Sequence, residues 1–371
     1  MKVLSKIEGF IFQAPAWKLI TVVLGLMFFK TGLWYMPNIG ASHLVAQNPF
    51  VNPLQDPNAH YIYWTWLAPF LAWCVRARSF WRFTFLHFLF VAAFTALFIK
   101  IIFSRLSDRA ARTSLVIFAL LPVSATAYYW VGMDGLTLLL MLLILSFHRL
   151  SVAAFCLGTA LGMQHFEQGF FAFAGVLAAF IAAGGGLPIG FSLIWGLMVL
   201  IGVVAGKCVL VALFHFFHVT VNAGRTYWLM GHLDSLLKQF IFHVHVVFWS
   251  VLGLGWVILV SYAERGKRAL PFLVPFLGLL VFLLPISEDQ TRVLSIVTFP
   301  LVFIFWLLNQ EFLDSLDERF VAWLAFLWII VPWAWVWQGV PRWSIFPFNM
   351  VYLLKPLGLI SVPADATSWP F

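Results

Sequence analysis

Apolar runs long enough to cross a lipid bilayer recur from one end of this chain to the other, and that feature constrains the fold before any motif is read. Of 371 residues, 63% are apolar and only 10% are charged, with 41 Phe and 19 Trp. A soluble domain carries roughly a quarter charged residues, so this chain cannot cover a water-facing surface. A cytosolic enzyme, a secreted disulfide scaffold, a disordered tail and a coiled coil are excluded. The alternating apolar-out, polar-in segments of an outer-membrane barrel are absent. What remains is an all-α polytopic membrane protein, because a helix satisfies its own backbone in lipid.

The runs predict membrane helices at residues 17–36, 83–103, 114–131, 135–148, 151–163, 168–183, 189–214, 241–262, 271–286, 293–308 and 321–337, about 11 crossings. The first run is long and no small-residue cleavage site follows it, so a retained helix is expected there instead of a signal peptide. Residues 61–75 are apolar but short, and are expected to lie in the interface. With that parity, Arg105, Arg109, Arg112, Arg149, Arg265, Lys267 and Arg268 share a side with Lys2, Lys6 and Lys18. This is the positive-inside pattern, with the N-terminus cytoplasmic and the C-terminus outside, in a membrane of the bacterial inner (plasma) type. Arg76, Arg78 and Arg82 are the exceptions, falling on the outer side.

No linker, charge block or repeat divides the chain, so residues 1–371 read as one transmembrane domain. Three outer segments are large enough to carry chemistry: 37–82, with an interfacial helix and Pro37, Pro49, Pro53 and Pro57 breaking regular structure, then 215–240 and 338–371. The net charge of +8 sits at the ends of apolar runs, where it sets topology and meets anionic lipid. No nucleic-acid partner is expected. Cys74, Cys156 and Cys208 have no paired spacing and read as small core residues.

Charge is so scarce that each outer carboxylate is a candidate for chemistry, since carboxylates at membrane depth are costly. Of the 14 acidic residues, Asp56, Asp134, Glu167, Asp234, Glu288, Asp289 and Asp365 fall on the outer side. Asp56 lies in the loop Asn52–Tyr61 with His60, where a turn or helix-cap role is the plain alternative. Asp134 directly precedes a leucine-rich helix and suits its N-cap. Glu167, in the run Gln164, His165, Phe166, Glu167, Gln168, sits in a very short turn between two apolar helices. Glu288, Asp289 and Arg292 precede another helix, where an internal salt bridge accounts for them.

Arg225 and Lys238 flank Tyr227, Trp228, His232 and Asp234, a mixture that suits either a phosphate headgroup or generic interfacial anchoring. Lys30 is expected to snorkel from near a helix end, whereas Lys207 lies deeper and needs a partner. His215, His218, His243 and His245 cluster near one face, but His243 and His245 point to different sides of a helix. A histidine metal site is therefore not assigned.

The order of features resembles integral-membrane glycosyltransferases of the C type (the GT-C fold), which include protein mannosyltransferases and lipid A aminoarabinose transferases. The resemblance rests on Tyr61-Ile62-Tyr63-Trp64-Thr65-Trp66 after the first outer loop, Ser79-Phe80-Trp81-Arg82, the Arg-rich turn and Phe118-Ala119-Leu120-Leu121-Pro122. It continues in the aromatic stretch ending in Asp134 and in the segment Asp289–Pro300, and spans residues 17–308 with short, degenerate motifs.

The resemblance implies a sugar donor linked to polyprenyl phosphate, a glycan, lipid or protein acceptor, and surrounding membrane lipids as partners. It implies Asp56 as the catalytic carboxylate, although the usual acidic pair is missing and Pro57 follows it; Glu167 is second choice. Asp134 and Arg292 match the acidic residue before the fourth helix and the late Arg. His60, Tyr61, Arg82, His165 and Arg225 complete the expected substrate-binding set. No cofactor is fixed, with a divalent cation (Mg or Mn) the one candidate. A polysaccharide polymerase or ligase, and a lipid-linked-sugar transporter or flippase without chemistry, are the competing expectations.

Overall fold

The computed structural model describes residues 2–32, 34–35, 39–149, 151–184, 191–221, 225–337, 340–344 and 358; within these, the side chains at 34–35, 58, 128–130, 225–228 and 267 are outside the description. The chain is mostly helical. It starts with α1 (Lys2–Gln13), α2 (Ala16–Thr31) and β1 (Trp34–Tyr35). The first loop then holds α3 (Ile39–Gln47), a 3-10 segment (Pro57–Trp64) and α4 (Leu67–Cys74). After it come α5 (Phe80–Arg105), α6 (Asp108–Leu120), α7 (Pro122–Tyr129), β2 (Trp130–Val131) and α8 (Met133–Ser146). They are followed by α9 (Ser151–Ala182), α10 (Leu193–Phe216), α11 (Arg225–Leu252), α12 (Gly255–Ala263) and α13 (Leu270–Leu283). The regular structure closes with α14 (Gln290–Val302), α15 (Gln310–Asp314), α16 (Glu318–Ile330) and the antiparallel hairpin of β3 (Ala334–Trp337) with β4 (Val340–Trp343).

Among the described residues five helical runs are, by length and composition, long and apolar enough to cross a membrane: Phe80–Arg105, Ser151–Ala182 (which bends back at His165), Leu193–Phe216, Leu229–Leu252 and Gln290–Leu307. They support a helical membrane protein, a coarser statement than the 11 crossings expected. The 3-10 segment and the eight-residue α4 are too short to span a bilayer, which needs about 20 helical residues. The run expected at 114–131 is two helices, because Pro122 pushes Leu121 into extended backbone (φ −88°, ψ 142°) and ends α6.

α9 is not one rod. His165 leaves the helical region (φ −161°, ψ 86°), and a Cβ built on Gly169 would lie 2.8 Å from the Leu161 side chain. In a straight helix those positions are about 12 Å apart along the axis, so the arms 151–164 and 166–182 fold back on each other. This is the reversal expected around 164–168.

The first arm and α10 pack backbone to backbone through Gly158 and Gly162 on one and Gly202 and Gly206 on the other, two small-xxx-small pairs of the kind that join helices in lipid. A Cβ at Gly162 would sit 2.1 Å from the Val203 carbonyl oxygen, and one at Gly206 2.1 Å from that of Thr159. Backbone cannot step aside as a side chain can. Gly206→Val is therefore expected to destabilise the protein by about 3 kcal/mol or more, read as a lower midpoint of thermal unfolding in detergent. Gly25→Ala, which meets nothing within 4 Å, is expected to leave the midpoint unchanged.

Two lysine and cysteine expectations change. Lys30 is buried, and its Nζ donates to the Trp328 and Val331 carbonyls at the end of α16, with the Trp328 and Trp333 rings each 5.9 Å away. It caps a neighbouring helix instead of snorkelling, because those last carbonyls have no partner within their own helix. The three cysteines are exposed on the helix surfaces and not in the core.

α4 ends in a Schellman turn, with Ala77 N donating to Ala72 O at 2.8 Å and Arg76 N to Trp73 O at 3.1 Å. The left-handed position is occupied by Arg76 (φ 57°) and not by glycine, at a cost of about 1 kcal/mol.

Candidate functional site

The loop between α13 and α14 and the turn before α8 meet at the end of the bundle that carries the first loop. Asp289 is the N-cap of α14 and accepts from Arg292 N at 3.4 Å; Asp134 lies in the first turn of α8. Both carboxylates complement a helix N-terminus, which favours negative charge there. Arg292, three residues into the same helix turn as Asp289, joins them: its Nε lies 2.8 Å from Asp289 Oδ2, and its Nη1 donates to Asp134 Oδ2 at 3.1 Å. Side-chain exposures are 2% for Asp134, 8% for Asp289 and 19% for Arg292. The cation is thus the member of the cluster that reaches the surface.

Two carboxylates around one guanidinium leave the cluster one charge negative when all are ionised. Burial is the largest influence on Asp289 and pushes its carboxyl up to about 6; Arg292 opposes this, while Asp134 and Glu288 add to it. An acid whose folded pKa is raised holds its proton in the folded state while the unfolded chain has released it. Stability from this group is therefore fully present below about pH 4 and falls as pH rises towards 6, by about 3 kcal/mol across the window. Asp289→Asn keeps the cap and is expected to remove that slope from unfolding curves measured between pH 4 and 7.

A polar frame surrounds the cluster. Gln164 bridges two elements, donating to the Met133 carbonyl at 3.0 Å and accepting from Ala68 N at 3.0 Å. Thr291 donates to Ser250 Oγ at 2.7 Å and accepts from Val336 N at 2.9 Å, and Thr126 meets Ser295 at 2.8 Å. These bonds tie α14 to α7, α11 and β3, so the helix that carries Arg292 is held from several sides. Gln168 and Gln290 are buried, and both amide atoms of each are unpaired among the described residues. Tyr61, on the 3-10 segment, lies within electrostatic range of Arg292.

The same 3-10 segment reaches a second group. Lys207 Nζ sits 3.5 Å over the Trp64 ring and 5.6 Å from that of Phe166, a cation–π arrangement that gives this deep lysine its partner. Next to Phe166, at the α9 reversal, His165 Nδ1 lies 3.6 Å from Glu167 Oε2. His60 is buried, with Nε2 2.9 Å from the Leu54 carbonyl. Tyr63 and Trp66 both donate to the Pro49 carbonyl, at 2.5 and 2.7 Å, and fix the segment against the loop before it. Burial raises the Tyr63 hydroxyl pKa, keeping it a donor.

The residues singled out from sequence therefore separate into groups. Asp134 and Arg292 are bonded, Tyr61 lies within electrostatic range of Arg292, and His165 and Glu167 form a neighbouring pair. Asp56 is exposed just before the 3-10 segment, and its backbone carbonyl accepts from Ala59 N at 3.0 Å. Arg82 lies on α5 in a different groove with Arg76. Arg225 begins α11, and its side chain lies outside the described residues. Among the described residues no group of three or more His, Cys, Asp or Glu is placed to hold a metal ion.

Asp289, Gln164, Gln168 and Gln290 were not singled out as site residues. Their signal was present: two glutamines four apart between apolar helices, and five consecutive polar residues, 288–292, heading an otherwise apolar helix. Comparison with protein-family models, curated proteins and solved structures finds no match to this chain.

Proposed function

We propose that the protein is a membrane glycosyltransferase that moves a sugar from a polyprenyl-phosphate-linked donor to a glycan, lipid or protein acceptor on the outer face of the membrane. The single observation that carries this reading is the cluster at Arg292: a guanidinium held in place by two buried carboxylates, on the side chain that is the most exposed of the three. A guanidinium fork matches phosphate oxygens, and one fixed in advance needs no reorganisation when charge develops on a leaving phosphate.

In this mechanism the donor phosphate binds the Arg292 guanidinium. Asp289, already close to accepting a proton near neutral pH, takes one as the phosphate arrives, so the cluster does not accumulate negative charge. Asp56, exposed on the loop, receives the proton of the acceptor hydroxyl. The acceptor oxygen bonds to the anomeric carbon as the bond from that carbon to the phosphate oxygen breaks, and the electron pair leaves on the polyprenyl phosphate. Attack opposite the leaving group inverts the anomeric configuration. The fold class is then that of the C-type transferases, with about 11 crossings.

Two consequences are measurable. Because donor binding takes up a proton at Asp289, the apparent KM for the donor is expected to rise as pH increases above about 6, with Asp289→Asn flattening the profile. With purified protein in vesicles and polyprenyl-phosphate sugars as donors, polyprenyl phosphate is expected to be released only when acceptor is present, and the product to carry the inverted linkage. A second reading, a transporter or flippase without chemistry, is favoured by the same buried proton-accepting Asp289, since buried carboxylates that take up protons also serve in transport. Donor that crosses the bilayer intact, with no release, would establish that reading in its place.

A further inference from the structure

Outside the Arg292 cluster, one groove of about 540 Å³ runs along the surface of α5 under the α4 turn. Arg76 and Arg82 stand at its head, and Trp81, Phe85, Leu86 and Leu89 line it. Neither arginine has an ion-pair partner among the described residues, a state shared with Arg78, Arg105, Arg149, Arg319 and Arg342, whereas Arg109, Arg112, Arg265, Arg268 and Arg292 are paired. Arg76 holds the left-handed position that glycine occupies without strain, so its side chain is kept against the local backbone preference. Arg82 lies in the first turn of the 26-residue α5, its backbone N donating to the Ser79 Oγ cap at 3.4 Å, and the helix N-terminus adds to the positive field. Below them Trp81, Phe85 and Leu89 repeat every fourth residue and are exposed, an apolar trough about 12 Å long.

The trough is on the far side of α5 from the candidate site. Phe83, His87, Val91 and Phe94 form the buried stripe of this helix, and Val91 and the His87 carbonyl approach Gly135 next to Asp134. Positions two apart on a helix are about 200° apart, so the 81, 85, 89 row points away from Asp134 and Arg292. A lipid lying in it cannot present its phosphate to Arg292.

We propose that this groove binds one anionic glycerophospholipid from the surrounding membrane, its phosphate on Arg76 and Arg82 and an acyl chain along Trp81, Phe85 and Leu89. Two guanidinium groups match a phosphate by charge and by fork geometry. A zwitterionic lipid brings its own cation to the same arginines and is disfavoured. This also accounts for arginines on the side where the positive-inside pattern does not expect them.

The test is thermal unfolding of the detergent-purified full chain titrated with phosphatidylglycerol, phosphatidylcholine or polyprenyl phosphate. Phosphatidylglycerol is expected to raise the midpoint of the wild type, and the lipid concentration for half the effect to be about 30-fold higher in the double variant Arg76→Gly/Arg82→Gln. Glycine relieves the left-handed position, so that variant is expected to be no less stable without lipid. Arg82→Gln alone, which leaves the turn intact, is expected to shift the half-point about 5-fold. An unchanged half-point in both variants, equal potency of phosphatidylcholine, or polyprenyl phosphate binding the same arginines more tightly than phosphatidylglycerol would overturn the proposal.

Discussion

Arg292→Ala is expected to destabilise the protein by about 3–5 kcal/mol and to abolish use of a polyprenyl-phosphate donor, the largest combined effect of any single substitution considered. The stability part follows from what is left behind. Asp134 is 2% exposed and Asp289 8% exposed, so removing the cation strands two carboxylates in a region with little water. They can escape only by taking up protons, and that costs more as pH rises. The variant is therefore expected to lose most stability at pH 8 and to recover part of it at pH 5. The triple variant Asp134→Asn/Asp289→Asn/Arg292→Gln, neutral throughout, is expected to regain most of the stability and none of the donor use. Unfolding curves and initial rates on the same preparations separate these two losses. If the triple variant kept wild-type rates, Arg292 would be a structural ion pair and nothing more.

Asp56→Asn is expected to lower sugar transfer by about 10²–10⁴-fold while leaving unfolding unchanged. The asymmetry with Arg292 comes from placement. Asp56 is exposed, so neutralising it disturbs no buried charge. A general base removed from an acceptor hydroxyl acts on the rate of transfer and not on donor binding, so kcat falls while the donor KM holds. An acceptor whose hydroxyl is already ionised at assay pH is expected to escape most of the loss. A variant with full activity would remove Asp56 from the chemistry and leave Glu167, the remaining carboxylate beside the 3-10 segment's neighbours His165 and Phe166, as the next to test.

Much of the helical architecture could be read from composition, because lipid leaves few alternatives and apolar runs of bilayer length have one use. The reversal at His165 was visible as a polar interruption, Gln164 to Gln168, between two apolar runs. The break at Leu121 was written in Pro122 but was read through, since a proline in a long apolar run bends some helices and ends others. Lys30 was misread because hydropathy places a charge in depth but cannot show that the end of α16, some 300 residues on, offers it carbonyl acceptors. Asp134 and Arg292 were each singled out, and their bond across 158 residues of sequence was not legible from either. Asp289 was set aside as a salt-bridge residue, which it is; its burial, which brings its carboxyl near neutrality, comes from packing that no local pattern encodes.

The central claim is that Arg292, held by Asp134 and Asp289, receives the phosphate of a polyprenyl lipid. Direct binding of polyprenyl phosphate to the purified protein, measured at pH 6 for the wild type and for the neutral triple variant, tests it most simply. Loss of one charge-assisted, two-point phosphate contact is expected to weaken binding by about 10–100-fold in the triple variant, with its folding intact. Equal binding by the two proteins would contradict the account.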